Sequence, residues 1–136
     1  MLLADTSAWH RSVHPQVLGD WTRSLERDEI ATTSPARLEI LFSARSADDC
    51  ARLSEQLDAL HQLPCGEAAW ARASEVQGQL ARQHALHHRR VKIPDLIIAA
   101  VAELSGAVVW HYDEDYERIA VVTGQDVAWI APRGSL

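Results

Sequence analysis

Five acidic residues in this chain stand where an apolar run ends or begins, and together they have the makings of a metal site. Asp5 closes Met1-Leu2-Leu3-Ala4 and precedes Thr6-Ser7. Glu39 lies in Ser34-Pro35-Ala36-Arg37-Leu38-Glu39, and Asp95 opens Pro94-Asp95-Leu96-Ile97-Ile98-Ala99-Ala100. Asp113 follows Ala107-Val108-Val109-Trp110-His111-Tyr112, with Asp115 two residues later. In an open α/β sheet, ligands bind beyond the carboxyl ends of the strands, so acids placed there converge. Converging carboxylates repel one another unless protonated or neutralised by a cation. A donor set made only of oxygens points to Mg²⁺, with Mn²⁺ as the alternative. Two such ions about 4 Å apart prepare a nucleophilic water, relieve charge on phosphoryl oxygens and stabilise the leaving oxygen. The chemistry this suits is phosphodiester hydrolysis. Asp5 and Asp95 are the first choices as direct ligands. Asp113 or Asp115 completes the set, and Glu39 orients water or binds through it.

Each acid also has a plainer reading. Asp5 or Asp95 can cap a helix. Glu39 can pair with Arg37 or Arg45. Asp113 and Asp115 can be turn formers or partners of a helix dipole. The hydroxyls of Thr6 and Ser7 suit a ligand carboxylate, a substrate phosphate or a cap.

Strands and helices alternate along the chain. Residues 2–4 read as a buried strand, and Pro15 to Asp28 as a helix with Leu18, Trp21 and Leu25 on its stripe. Glu29 to Thr33 is a strand, followed by a helix with Ser34 as N-cap and Pro35 as first residue. That helix places Leu38, Leu41 and Phe42 on one face. Ser46 to Asp49 is a capping box with Asp in place of Glu, and it opens a helix bearing Leu53, Leu57 and Leu60. Gln62-Leu63-Pro64 is a short strand or connector. Gly66 to about Ala85 is the longest helical pattern, and His84 to Lys92 a basic loop. Pro94 to Ser105 is apolar nearly all round, hence a buried helix, and Gly106 ends it. Ala107–Trp110 and Val127–Ile130 are strands flanking a short helix from Asp115 to Ile119. This alternation implies a three-layer α/β/α sandwich around a mainly parallel sheet, in one domain spanning 1–136.

In these four contexts, order and spacing, the sequence resembles the PIN-domain family, and within it the VapC ribonuclease toxins of bacterial toxin–antitoxin pairs. Leu3-Ala4-Asp5-Thr6-Ser7-Ala8-Trp9, Ser34-Pro35 with Leu38-Glu39, Pro94-Asp95 with Ile98-Ala99-Ala100, and Asp113-Glu114-Asp115-Tyr116 carry the resemblance, which covers essentially the whole chain. It implies a Mg²⁺-dependent endoribonuclease, dimeric, inhibited by a co-expressed VapB antitoxin. It also places the hydroxyl of Ser7 at the site. His111 departs from the pattern, since relatives often carry Thr or Ser there, so a polar bond near the metal is made differently. Three consecutive acids leave open whether Asp113 or Asp115 is the fourth site residue.

The net charge of −6 at first argues against a nucleic-acid partner. The five candidate acids account for most of it, so charge neither excludes RNA nor supports it. The basic stretch His84-x-x-His87-His88-Arg89-Arg90-x-Lys92 immediately precedes Asp95. Arg89, Arg90 and Lys92 are read as phosphate contacts at the rim of the site, none of them a metal ligand. His84 and His88 have zinc-helix spacing but lack the accompanying Glu. Trp21, Trp70, Trp110 and Trp129 are expected in the core, with Trp9 exposed. Two cysteines, no membrane-length apolar run and no signal-peptide pattern imply a reduced cytoplasmic setting. Two other readings are a receiver-like phospho-acceptor domain and a catalytically silent PIN-fold binding module. The first needs a Lys after a late strand, whereas the only Lys here, Lys92, precedes a helix. The second is disfavoured because all four acidic contexts are intact. A DNA flap nuclease would need clamp elements for which this chain has no room.

Overall fold

A computed structural model describes residues 1–83 and 87–136. Its five strands are β1 (Leu2–Ala4), β2 (Ile30–Thr33), β3 (His61–Leu63), β4 (Val108–His111) and β5 (Val127–Trp129). They form one sheet in the order β3-β2-β1-β4-β5, and every neighbouring pair is parallel. The chain winds outward from β1 through β2 to β3, then returns to start again at β4 on the other side of β1. The carboxyl ends of β1 and β4 therefore border the crevice where the winding reverses, which is where open parallel sheets bind ligands.

Among the described residues, seven α-helices cover the sheet: α1 (Thr6–Arg11), α2 (Leu18–Glu26), α3 (Ser34–Phe42), α4 (Ala47–Asp58), α5 (Glu67–Gln83), α6 (Ile93–Ser105) and α7 (Glu114–Thr123). Successive strand residues point to opposite faces, so adjacent residues feed two separate cores. Leu3, Ala31 and Val109 join the helical residues Val76, Leu80, Ile98 and Ile119 in one core. Ala4, Ile30 and Trp110 join Val17, Trp21, Ile40 and Leu57 in the other. The expected three-layer sandwich is formed, with a fully parallel sheet.

Local signals act largely as read. Ser46 caps α4 by accepting from the Asp49 N–H at 3.1 Å, and Asp49 returns a bond to the Arg45 N–H instead of to Ser46. Gly106 ends α6 with φ of 68°, a conformation that costs glycine nothing.

Several expectations need correction. Thr6–Arg11 is a helix in its own right, too short to carry an apolar period. The helix expected from Pro15 begins only at Leu18, after turns that place Val17 in the core. Thr33, not Ser34, is the N-cap of α3, and it makes no side-chain cap bond. Leu38 and Phe42 lie on solvent, 70% and 91% exposed, because α3 turns Ala36 and Ile40 inward instead. Trp70 is likewise on the surface, since α5 buries its small-residue stripe of Ala69 and Ala73 against α6. Trp21 and Trp110 stack in the core at 5.5 Å, and Trp9 packs edge-on against Trp21. The helix after β4 extends to Thr123, beyond the expected Ile119. Of the basic loop, His87–Arg90 forms a 3₁₀ turn. His84 lies outside the described residues, and with it the zinc spacing.

Candidate metal centre

Each site carboxylate is placed by the end of one element. Asp5 terminates β1 and becomes the N-cap of α1: its Oδ1 accepts from the Ala8 N–H at 2.9 Å and from the Ser7 hydroxyl at 2.7 Å. The Ser7 hydroxyl also accepts from the Tyr112 N–H at 2.8 Å, tying the loop after β1 to the loop after β4. Glu39, one turn into α3, accepts from the Thr6 hydroxyl at 2.8 Å. Asp95 sits in the first turn of α6 rather than at its cap, which is Lys92. Asp113 caps α7 through the Asp115 N–H, and Asp115 is buried one residue inside that helix.

Asp95, Asp113 and Asp115 converge: one ligand oxygen from each lies within 4.8 Å of the others. Asp113 and Asp115 thus both lie beside Asp95. Asp5 and Glu39 are not in that cluster. Tyr116, a wholly buried side chain, donates its hydroxyl to Asp95 Oδ1 at 3.1 Å.

The electrostatics are those of a site short of positive charge. Burial pushes the Asp5 carboxyl above its ordinary pKa, against the opposing bonds from Ser7 and Ala8. Burial raises Asp95 further, to about 8, helped by the hydrogen bond with Asp115 and opposed by Lys92. Asp115 is held below the ordinary value: the bonds from Asp95 and from Lys92 overcome its burial. The surroundings thus favour the neutral form of Asp95 and the charged form of Asp115. Lys92 Nζ stands 2.7 Å from Asp113, 3.3 Å from Asp115 and 3.5 Å from Asp95. Burial works against its charge, yet the Asp113 bond and the three acidic neighbours hold its pKa well above the usual lysine value. Arg118 adds a contact to Asp115 Oδ1 at 3.0 Å.

His111, fully buried, makes the polar bond that a hydroxyl was expected to make. Its Nδ1 accepts from the Asp113 N–H at 3.1 Å, which fixes the entry into α7. Burial depresses its pKa, opposed by Glu117, so the neutral ring serves as acceptor. Arg89 and Arg90 are exposed on the 3₁₀ turn, three and two residues before Lys92.

The donor set fits a hard divalent cation: oxygens alone, clustered, and unable to ionise fully without added positive charge. Sequence reasoning missed Tyr116 as a partner of Asp95 and placed Lys92 at the rim. The only trace of the first was a Tyr one helical turn after Asp113. Removing the Tyr116 hydroxyl should cost about 1–2 kcal/mol of stability, as expected for a buried carboxyl that loses a partner. Urea denaturation of Tyr116→Phe without metal tests this, and an unchanged midpoint would show that the hydroxyl supports nothing.

Residues 2–122 match the PIN domain family model, and the chain belongs to the PIN-domain family. It is 52% identical over 132 residues to Ribonuclease VapC18 of Mycobacterium tuberculosis, covering 97% of this chain and 96% of that protein. It is 42% identical over 134 residues to Ribonuclease VapC21 of the same organism, covering 98% and 96%. Among solved structures, DNA-bound VapBC from Salmonella typhimurium superposes with a TM-score of 0.76 at 18% identity, over 96% of this chain and 98% of that one. VapBC-5 from Mycobacterium tuberculosis, a member of the VapBC family of toxin–antitoxin systems, superposes with a TM-score of 0.60 at 26% identity, over 93% and 94%. The fold and family expected from the sequence are those found.

Proposed function

We propose that this protein is a Mg²⁺-dependent endoribonuclease, the toxin of a VapBC-type toxin–antitoxin pair. The observation that carries the reading is the convergence of Asp95, Asp113 and Asp115 at the crevice beside β1, in a chain half identical to a ribonuclease. Asp95, Asp113 and Asp115 hold the cation, Mg²⁺ or Mn²⁺, and Asp5 completes the acidic wall from the end of β1. When bound, the metal supplies an activated water and charge relief on the phosphoryl oxygens. Ser7 holds Asp5 in place, and Tyr116 does the same for Asp95. Glu39, steadied by Thr6 at the open side, orients water toward the phosphate.

Arg89, Arg90 and Lys92 receive the RNA backbone. Single-strand phosphate contacts contribute about 0.7 each to the slope of log K against log salt, so Arg89→Ala with Arg90→Ala should flatten it by roughly 1 to 1.5 across unrelated RNA sequences. An unchanged slope would make this turn a solvated connector.

The antitoxin is of the VapB type, and its seat is an apolar groove of about 590 Å³ between α1, α2 and α4. Trp9, Val13, Leu18, Leu25 and Leu53 line it, and Leu18 and Leu25 are nearly half exposed. The face of α3 bearing Leu38 and Phe42 serves a homodimer, since an exposed apolar pair beside the site is poorly suited to water. Among the described residues no helix is long and apolar enough to cross a membrane.

The decisive experiment incubates purified protein with labelled RNA and Mg²⁺. Internal cleavage is expected, abolished by EDTA, restored by excess Mg²⁺ and suppressed by the product of an adjacent small reading frame. Metal binding without cleavage would make the protein a binding module, and cleavage indifferent to EDTA would remove the metal from the reading.

A further inference from the structure

Lys92 holds a position that an added cation would also need. Its ammonium touches all three clustered carboxylates, at 2.7, 3.3 and 3.5 Å. A divalent ion drawing on the same oxygens meets both a like charge and ligands already engaged.

Two further observations make this contact look releasable rather than architectural. The Lys92 backbone is fixed independently of its side chain: its N–H donates to Asp115 Oδ2 at 3.0 Å, and its carbonyl accepts from Asp95 and Leu96 at the start of α6. The side chain, by contrast, is 63% exposed and free to swing outward without unpacking anything. Lys92 is also the sole lysine of the sequence, every other of the thirteen Lys and Arg residues being Arg. Arg grips carboxylates with a planar two-pronged fork, as Arg72 does on Glu103 through Nε at 2.5 Å and Nη2 at 3.2 Å. An ammonium is a compact, strongly hydrated point charge on a flexible stem, and it exchanges for water more readily.

We infer that Lys92 is a tethered counter-cation of the metal centre: it neutralises Asp95, Asp113 and Asp115 in the metal-free protein and is expelled by the incoming divalent ion. Metal and ammonium are then linked competitors, and removing one tightens the other. The inference rests on the metal-binding reading of this site but not on the substrate being RNA.

Calorimetric titration of Mg²⁺ and, separately, Mn²⁺ into wild-type, Lys92→Met and Lys92→Arg proteins, all without RNA, tests it. Lys92→Met should bind metal about tenfold more tightly than wild type, within the range of ordinary coupling between two ligands. Lys92→Arg should bind no more tightly than wild type, because its charge remains and its fork grips better. Reductive methylation with ¹³C-formaldehyde labels this single lysine and the N-terminus, giving a probe that needs no substitution. Saturating Mg²⁺ should move the Lys92 methyl signal to the position of freely solvated dimethyl-lysine. Equal or weaker metal binding by Lys92→Met, or a methyl signal unmoved at saturation, overturns the exchange. If wild type and Lys92→Met both fail to bind either metal, the metal reading itself falls.

Discussion

Asp95→Asn should reduce RNA cleavage by about 1,000-fold or more while leaving the metal-free protein at least as stable as wild type. Loss of a metal-holding carboxylate removes several kcal/mol of transition-state stabilisation, and each 1.36 kcal/mol is a factor of ten. Stability should survive because burial beside Asp113 and Asp115 already favours a neutral Asp95 in the metal-free protein, its pKa raised to about 8. A neutral amide of the same shape keeps the contact with the Tyr116 hydroxyl. The measurement pairs single-turnover cleavage with melting curves, each with and without Mg²⁺. Wild type should gain stability from the ion, about 2.7 kcal/mol at a hundred times the dissociation constant, whereas Asp95→Asn should gain little. Asp5→Asn should also lose activity without losing stability, since Asn retains an oxygen for Ala8 and Ser7. Wild-type cleavage by either variant in Mg²⁺ would remove that residue from the site. A sharply lowered melting temperature without metal would favour a purely structural role.

Metal affinity should depend steeply on pH, approaching a tenfold fall per unit well below pH 8 and falling about 50-fold between pH 8 and pH 6. The cause is the raised pKa of Asp95, since a divalent ion needs this carboxylate ionised. The sign for stability follows from the same shift. The folded-state pKa of Asp95 is raised from 3.8 to about 8. The native protein therefore binds this proton more tightly than the unfolded chain. Its stabilising contribution is complete below about pH 3.8 and disappears as pH rises through about 8. Asp115, held low, contributes in the opposite sense, and its stabilisation is lost as pH falls below the ordinary carboxylate range. Titration calorimetry at pH 6, 7 and 8 in buffers of different ionisation enthalpy should register close to one proton released per metal at pH 6 and 7. Asp95→Asn should bind weakly with little pH dependence. Affinity that is flat over this range would show that Asp95 is already ionised.

The positions of the candidate acids at element ends were legible in the sequence for a physical reason. Strands of three or four apolar residues have definite ends, and in a parallel sheet those ends lie on one side. An acid immediately after Ala4, or two residues after His111, therefore had few places to go. The same logic read the buried α6 from its unbroken apolar run and its end from Gly106. Helical period was a weaker guide wherever a helix is short or packs through small residues. It missed α1, and it favoured Leu38 and Phe42 over Ala36 and Ile40 because bulk was taken for burial.

What the sequence by itself determined is the alternation of elements, the parallel sheet and the set of acids available to a cation, all consequences of local pattern and strand direction. Tertiary structure alone decided how those acids are grouped. Asp95 comes from α6, and Asp113 and Asp115 from the start of α7, so their convergence depends on the packing of two helices against one face of the sheet. Asp5 and Glu39 meet other partners, Ser7 and Thr6, at the neighbouring strand and helix ends. That packing also turns Tyr116 inward to donate to Asp95, and it brings Lys92 from the expected rim into contact with the acids. Neither placement has a one-dimensional signature, because each is set by distances between side chains 21 to 23 residues apart in the chain: Lys92 to Asp113 and Asp115, and Asp95 to Tyr116.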